Sequence, residues 1–285
     1  MSEWADLYWT SEDGLRLHAR DYPAASGDAR LPVVCIHGLT RNAKDFDHLA
    51  PHLAATGRRA IAVDVRGRGL SARGTPETYQ LPTYARDIEA LAAALGMAEA
   101  LFVGTSMGGL ITMELATRSP RLIRGAILND VGPVLSAEGL GRIAGYVGRG
   151  KPLTSWQDAA EQLRLTNGAA LPHYREEDWL AMARRTCREQ DGTIVPDYDP
   201  DIAKAFGSAA LGTDPHRSWA ALAHHRPILL LRGALSDLLD QDAAETMVTG
   251  RPNARLQIVA GVGHAPMLDE PDALAAIDAF LAELP

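Results

Sequence analysis

Short apolar runs alternate with amphipathic segments along most of this chain, and that alternation limits the folds open to it. The runs are "LPVVCIHG" (31–38), "AIAVDV" (60–65), "ALFVG" (100–104), "LIRGAILND" (122–130), "PILLLRG" (227–233) and "RLQIVAG" (255–261). Each is too short for a buried helix and is apolar at consecutive positions, the pattern of a strand covered on both faces. Between them lie segments with helical spacing. "DFDHLAPHLAATG" (45–57) carries Phe46, Leu49 and Leu53, and "PTYARDIEALAAALG" (82–96) carries Ile88, Leu91 and Leu95. A helix starting near Met107, another around 241–249 and a last one from Pro271 to Leu284 continue the series. The chain opens on a hairpin, "ADLYW" and "LRLHAR" joined at Ser11–Gly14. The fold class expected is α/β: a mostly parallel eight-stranded sheet covered by helices on both faces.

One stretch breaks the alternation. From Gly132 to about Trp219 there are helical segments, "SWQDAAEQLRL" (155–165) and "EEDWLAMARRTC" (176–187), but no apolar strand run. Ser155 and Asp158 form a capping pair for the first of these. The stretch reads as a mostly helical cap (133–219) inserted after the sixth strand, with the core domain made of 1–132 and 220–285.

Composition narrows the function. A net charge of −8, with no long lysine/arginine block, argues against a nucleic-acid partner. No apolar run approaches the roughly 18 residues of a membrane span, and the N-terminus lacks the pattern of a signal peptide. Two cysteines, Cys35 and Cys187, make a poor disulfide framework, and a cytoplasmic protein is expected.

The stretch "LFVGTSMGGL" (101–110) contains Gly-x-Ser-x-Gly, a pattern that chance supplies in roughly one chain in ten of this length. Its setting is more telling. Ser106 follows a strand and precedes a helix, as a nucleophile on a sharp turn requires. Gly104 and Gly108 leave room for that turn, and the helix N-terminus offers free amides to a developing negative charge. A serine nucleophile needs a base and an orienting acid. Among nine histidines, His264 in "AGVGHAPMLDEP" lies just past the last strand, on the edge of the sheet where Ser106 lies. For the acid, Asp237 in "LLLRGALSDLLDQD" follows the seventh strand and is weighted above Asp130, which ends the sixth in "LNDVGP". Asp240 and Asp242 read as helix N-terminal residues.

Together with His37-Gly38 after the third strand and "DVRGRGLS" (64–71) after the fourth, these motifs resemble the α/β-hydrolase fold family over almost the whole chain. The resemblance implies an oxyanion hole from the backbone N–H groups of Met107 and Leu39, with His37 shaping the loop that carries Leu39. The expected activity is that of a serine hydrolase on a small carboxylic ester, using Ser106, His264 and Asp237, with no cofactor. The same residue set serves carbon–carbon bond hydrolases of ring-cleavage products and enol-lactonases. A non-catalytic ligand receptor on this fold is the reading from another class. Serine in place of aspartate at the turn argues against haloalkane dehalogenase and epoxide hydrolase chemistry. Possible substrate contacts are His37, Arg41, Trp156 and Trp179, although packing is the commoner role for cap tryptophans.

Two other patterns lead elsewhere. "GRGLSA" (67–72) fits a loose dinucleotide fingerprint, but Pro76 and Pro82 intervene before any helix. "DYDPD" (197–201) spaces its aspartates like a calcium loop, but Ile202 stands where that loop needs glycine, so a solvated acidic turn is expected. The histidines and cysteines show no zinc spacing, and no metal is expected.

Overall fold

The computed structural model describes residues 4–25, 30–206 and 214–285. An antiparallel hairpin, β1 (Ala5–Thr10) and β2 (Arg16–Tyr22), leads into the alternating series. That series runs β3 (Val33–Ile36), α1 (Leu49–Ala55), β4 (Ala60–Asp64), α2 (Leu81–Ala94), β5 (Ala100–Thr105), α3 (Met107–Arg118) and β6 (Ile123–Asn129). The inserted segment holds α4 (Ala137–Tyr146), α5 (Trp156–Asn167), α6 (Glu176–Thr186), β7 (Cys187–Gln190), β8 (Thr193–Pro196) and α7 (Ile202–Phe206). The chain closes with α8 (Pro215–Ala223), β9 (Ile228–Gly233), α9 (Gln241–Val248), β10 (Ala254–Val259) and α10 (Pro271–Ala282).

The main sheet has eight strands in the order β1-β2-β4-β3-β5-β6-β9-β10, parallel from β4 onward. Period-two alternation sorts its side chains between two cores. Val34, Ile36, Phe102 and Leu230 face one side with α2, α3 and α8, while Val33, Cys35, Val103 and Leu231 face the other with α1 and α10. Both faces are covered by buried apolar side chains, which is why the strands read as continuous apolar runs.

Three local expectations change. The helix expected at 45–57 is a 3-10 turn at Ala43–Phe46 followed by α1, which begins at Leu49. Pro51 then falls in the first turn, where its missing N–H breaks no helical bond. The mostly helical cap contains one element not expected from sequence, a small antiparallel hairpin of β7 and β8. Their short, partly exposed strands lack the apolar signature of the main sheet. Finally, α8 straddles the expected cap boundary and packs on α3, with Trp219 buried in the core layer.

The acidic turn is not solvated. Asp197 accepts from the Asn42 amide (3.0 Å) and pairs with Lys44 (3.3 Å), and Asp199 accepts from the Tyr79 hydroxyl (2.7 Å). These bonds tie the cap hairpin to the core, and no metal-binding cluster occurs among the described residues. The glycines of "GRGLSA" serve packing. A Cβ on Gly69 would sit 2.3 Å from the Asp64 carboxylate, which is already bound by His18 and by the Ala43 and Leu70 amides.

The crossing of α3 over β3 sets a sharp test. A Cβ on Gly108 would come within 2.0 Å of the Ile36 carbonyl, whereas one on Gly141 of α4 would meet nothing within 4 Å. Gly108→Ala should lower unfolding stability by about 3 kcal/mol in urea denaturation. Gly141→Ala should raise it slightly, by about 0.5–1 kcal/mol, because glycine is a poor helix former.

Candidate active site

Ser106 sits between the end of β5 and the start of α3 with φ 52° and ψ −116°, a conformation that costs a non-glycine residue about 1–3 kcal/mol. Neighbours hold it there. Its N–H donates to the Asn129 carbonyl (2.9 Å), and its carbonyl accepts from Gly109 (2.9 Å) and Leu110 (3.2 Å). A Cβ on Gly104 would lie 2.5 Å from the Gly109 nitrogen, so strand and helix can approach this closely only with glycine there. The side chain is thereby pushed out at the carboxyl edge of the sheet.

His264, in the loop after β10, meets it. Nε2 of His264 lies 2.9 Å from Ser106 Oγ, and Nδ1 lies 2.7 Å from Oδ2 of Asp130. A carboxylate only accepts, so Nδ1 carries the proton and Nε2 is left to accept from the serine hydroxyl. The Asp130 side chain is fully buried and takes two further bonds, from the Gly233 N–H (3.0 Å) and the Ser236 hydroxyl (2.5 Å).

Asp237, weighted first as the acid from sequence, is elsewhere. Its two oxygens bind Nε and Nη2 of Arg142 on α4 (2.5 and 2.9 Å), so it clamps the cap to the core. The Arg142 hydrogen bonds hold its carboxyl below the usual aspartate range. The reversal has a local cause. Asp130 closes β6 at φ 57°, a left-handed residue that aims its carboxylate across β9 to the His264 loop. Asp237 lies past the turn at Ser236, facing α4, and a Cβ on Gly139 of α4 would sit 2.6 Å from its carbonyl.

The loop after β3 approaches from the other side. His37 is fully buried. Its Nε2 accepts from the Val65 N–H (3.1 Å), so its Nδ1–H donates to the Gly38 carbonyl (2.7 Å). That carbonyl shares a trans peptide with the Leu39 N–H, so fixing one direction fixes the opposite one. The Arg41 N–H adds a second bond to the same carbonyl (3.2 Å), and Arg68 Nε donates to the Leu39 carbonyl (3.0 Å). Leu39 and Met107 both border the cavity beside Ser106.

The model of the alpha/beta hydrolase fold family matches residues 32–271. This chain belongs to the α/β-hydrolase family. A solved α/β-hydrolase from Novosphingobium aromaticivorans is 44% identical, with a TM-score of 0.93 over 100% of both chains. A 3-hydroxybutyrate-oligomer hydrolase of Cupriavidus necator is 33% identical over 89% of this chain and 90% of its own. Esterase Rv0045c of Mycobacterium tuberculosis is 30% identical over 88% of this chain and 82% of its own. No helix among the described residues is long and apolar enough to cross a membrane.

In this α/β-hydrolase the cavity has two lobes, of which only the first reaches Ser106 directly. One, of about 420 Å³, is apolar and lies between α3 and the cap, lined by Leu81, Leu110, Met113, Leu135 and Leu140. A narrow throat containing Ser106, His264, Arg41 and Tyr146 leads to the other, of about 470 Å³. Of the possible substrate contacts named from sequence, Arg41 lines both throat and second lobe. His37 is sealed in its loop. Trp179 is buried against Tyr174, and Trp156 stacks under Arg184; neither lines the throat or the two lobes.

Sequence reading passed over three supporting side chains. Ser236 bonds Asp130. The Asn129 amide donates to the Pro266 carbonyl (2.8 Å), tying β6 to the histidine loop. Glu270 gathers the Met267 and Leu268 amides of that loop (2.8 and 3.0 Å). Only Asn129 carried a signal, as a polar residue closing an apolar strand; the other two are ordinary in type and place.

Burial drives the His37 imidazole down from 6.5 to about 4. The unfolded chain protonates this residue as the pH falls through 6.5, while the folded protein keeps it neutral to about pH 4. Its contribution is therefore intact above pH 6.5 and drains away toward pH 4, a loss of about 3 kcal/mol. Urea unfolding of the wild type should show this slope, and His37→Asn should lack it.

Proposed function

We propose that this α/β-hydrolase cleaves a small carboxylic ester through an acyl-enzyme on Ser106, with His264 as base and Asp130 as the orienting acid. The supporting observation is the continuous hydrogen-bonded line from Ser106 Oγ through His264 to Asp130 (2.9 and 2.7 Å). In this reading His264 Nε2 takes the hydroxyl proton as Oγ adds to the ester carbonyl. The resulting oxyanion lies against the N–H groups of Leu39 and Met107, each worth roughly 3 kcal/mol to the transition state. The imidazolium, stabilised by Asp130, then returns its proton to the departing alcohol oxygen. Water enters and gives a proton to His264 as its oxygen adds to the acyl carbon, and His264 then returns that proton to Ser106 Oγ as the acyl–Oγ bond breaks. The relatives named as an esterase and as a 3-hydroxybutyrate-oligomer hydrolase support ester chemistry of this kind.

Turnover of p-nitrophenyl butyrate tests the assignment. Ser106→Ala and Asp130→Asn should each lower kcat by about 10⁴-fold, the second by spoiling the histidine tautomer. Asp237→Asn should stay within about tenfold of wild type and lower Tm by loosening the cap. A large loss in the Asp237 variant with a mild one in the Asp130 variant would reverse the assignment. No turnover by a wild-type protein that still reacts with a serine-directed phosphonate would overturn ester hydrolysis and leave Ser106 as a nucleophile.

A further inference from the structure

The second lobe differs from the first in charge. Arg41, Arg149 and Lys151 line it, and no carboxylate does, in a chain whose net charge is −8. Arg149 and Lys151 form no ion pair with any described residue. Arg41 gives one nitrogen to Asp45 at 3.2 Å, a carboxylate that lines the throat beside it. With Arg41 paired, Arg149 and Lys151 leave the rim of this cavity of about 470 Å³ with an uncompensated positive charge that attracts an anion.

The position of His264 says which part of a substrate would lie there. A general acid must reach the oxygen it protonates. His264 lines the throat, together with Arg41, Tyr146 and Asn167, and these three continue into the cationic lobe. His264 does not line the apolar lobe. The leaving alcohol therefore departs through the throat toward the cations, and the acyl chain occupies the apolar side.

We propose that the cationic lobe binds a carboxylate carried by the leaving alcohol, so that the substrate is an ester of a hydroxy acid whose own acid group is free. This rests on the serine-ester reading above. Hydrolysis adds water across the acyl–oxygen bond. The alcohol oxygen takes the proton from His264, the acyl group leaves as a second carboxylate with release of one proton, and the carboxylate held in the lobe is unchanged. Arg41 at the throat suits a paired, two-point contact with that group, and Arg149 and Lys151 extend the field outward.

The test compares 3-butanoyloxybutanoate with its neutral amide, 3-butanoyloxybutanamide, by butanoate release. In the wild type kcat/KM should favour the carboxylate by about tenfold, as expected for a charged hydrogen-bonded contact partly open to solvent. In the double variant Arg149→Gln/Lys151→Gln, whose sites are both exposed and so compatible with folding, the ratio should fall to about two. It should also shrink for the wild type in high salt. A wild-type ratio near one overturns the subsite while leaving the esterase reading intact. A tenfold preference that survives in the double variant overturns the assignment to these cations. Release from neither compound overturns the subsite alone where p-nitrophenyl butyrate is still turned over, and overturns both readings where it is not.

Discussion

The site depends on one close approach, the crossing of α3 over the ends of β3 and β5 with no side chain in between. Gly104 and Gly108 permit it. Ser106 has to adopt a positive φ to make the turn, and the bonds from Asn129, Gly109 and Leu110 hold it there. Everything that meets the serine comes from other strand ends at the same edge: the His37 loop after β3, Asp130 after β6 and the His264 loop after β10. A parallel sheet puts all of these ends on one side, so residues far apart in sequence converge without any long side chain reaching across.

Asp130 and His37 are buried at that edge, and each has defined partners. Asp130 sits at zero exposure with three donors arranged around its two oxygens. His37, also fully buried, is kept neutral by that burial, while one backbone donor and one backbone acceptor select a single tautomer. A buried group that is satisfied in only one geometry fixes that geometry. The Leu39 amide is directed by such a chain of constraints, from Val65 through His37 to the Gly38 carbonyl.

The cap packs apolar residues such as Ile143, Trp179 and Met182 into the two core clusters, and ion pairs and turn contacts add to that packing. Arg142 with Asp237, Lys44 with Asp197, and Tyr79 with Asp199 join it to the core around the mouth of the cavity. These residues made the acidic stretches of the sequence ambiguous. An aspartate in a loop after a strand reads the same whether it orients a histidine or anchors a helix, and only the path of α4 separates the two.

Sequence by itself determined the α/β architecture, the order of the eight strands along the chain, and Ser106 and His264 as candidates. These follow from short-range rules: apolar periodicity, glycine where backbone must pass backbone, and the placement of loops after strands. Tertiary structure alone decided that His264 faces Asp130 instead of Asp237, that His37 is sealed away from the cavity, and that Trp156 and Trp179 pack without touching it. It also divided the cavity into an apolar and a cationic lobe. Such choices depend on the direction of single side chains across strands and helices distant in sequence. A one-residue change in backbone dihedral, such as the left-handed turn at Asp130, redirects a carboxylate without leaving a mark on composition or spacing.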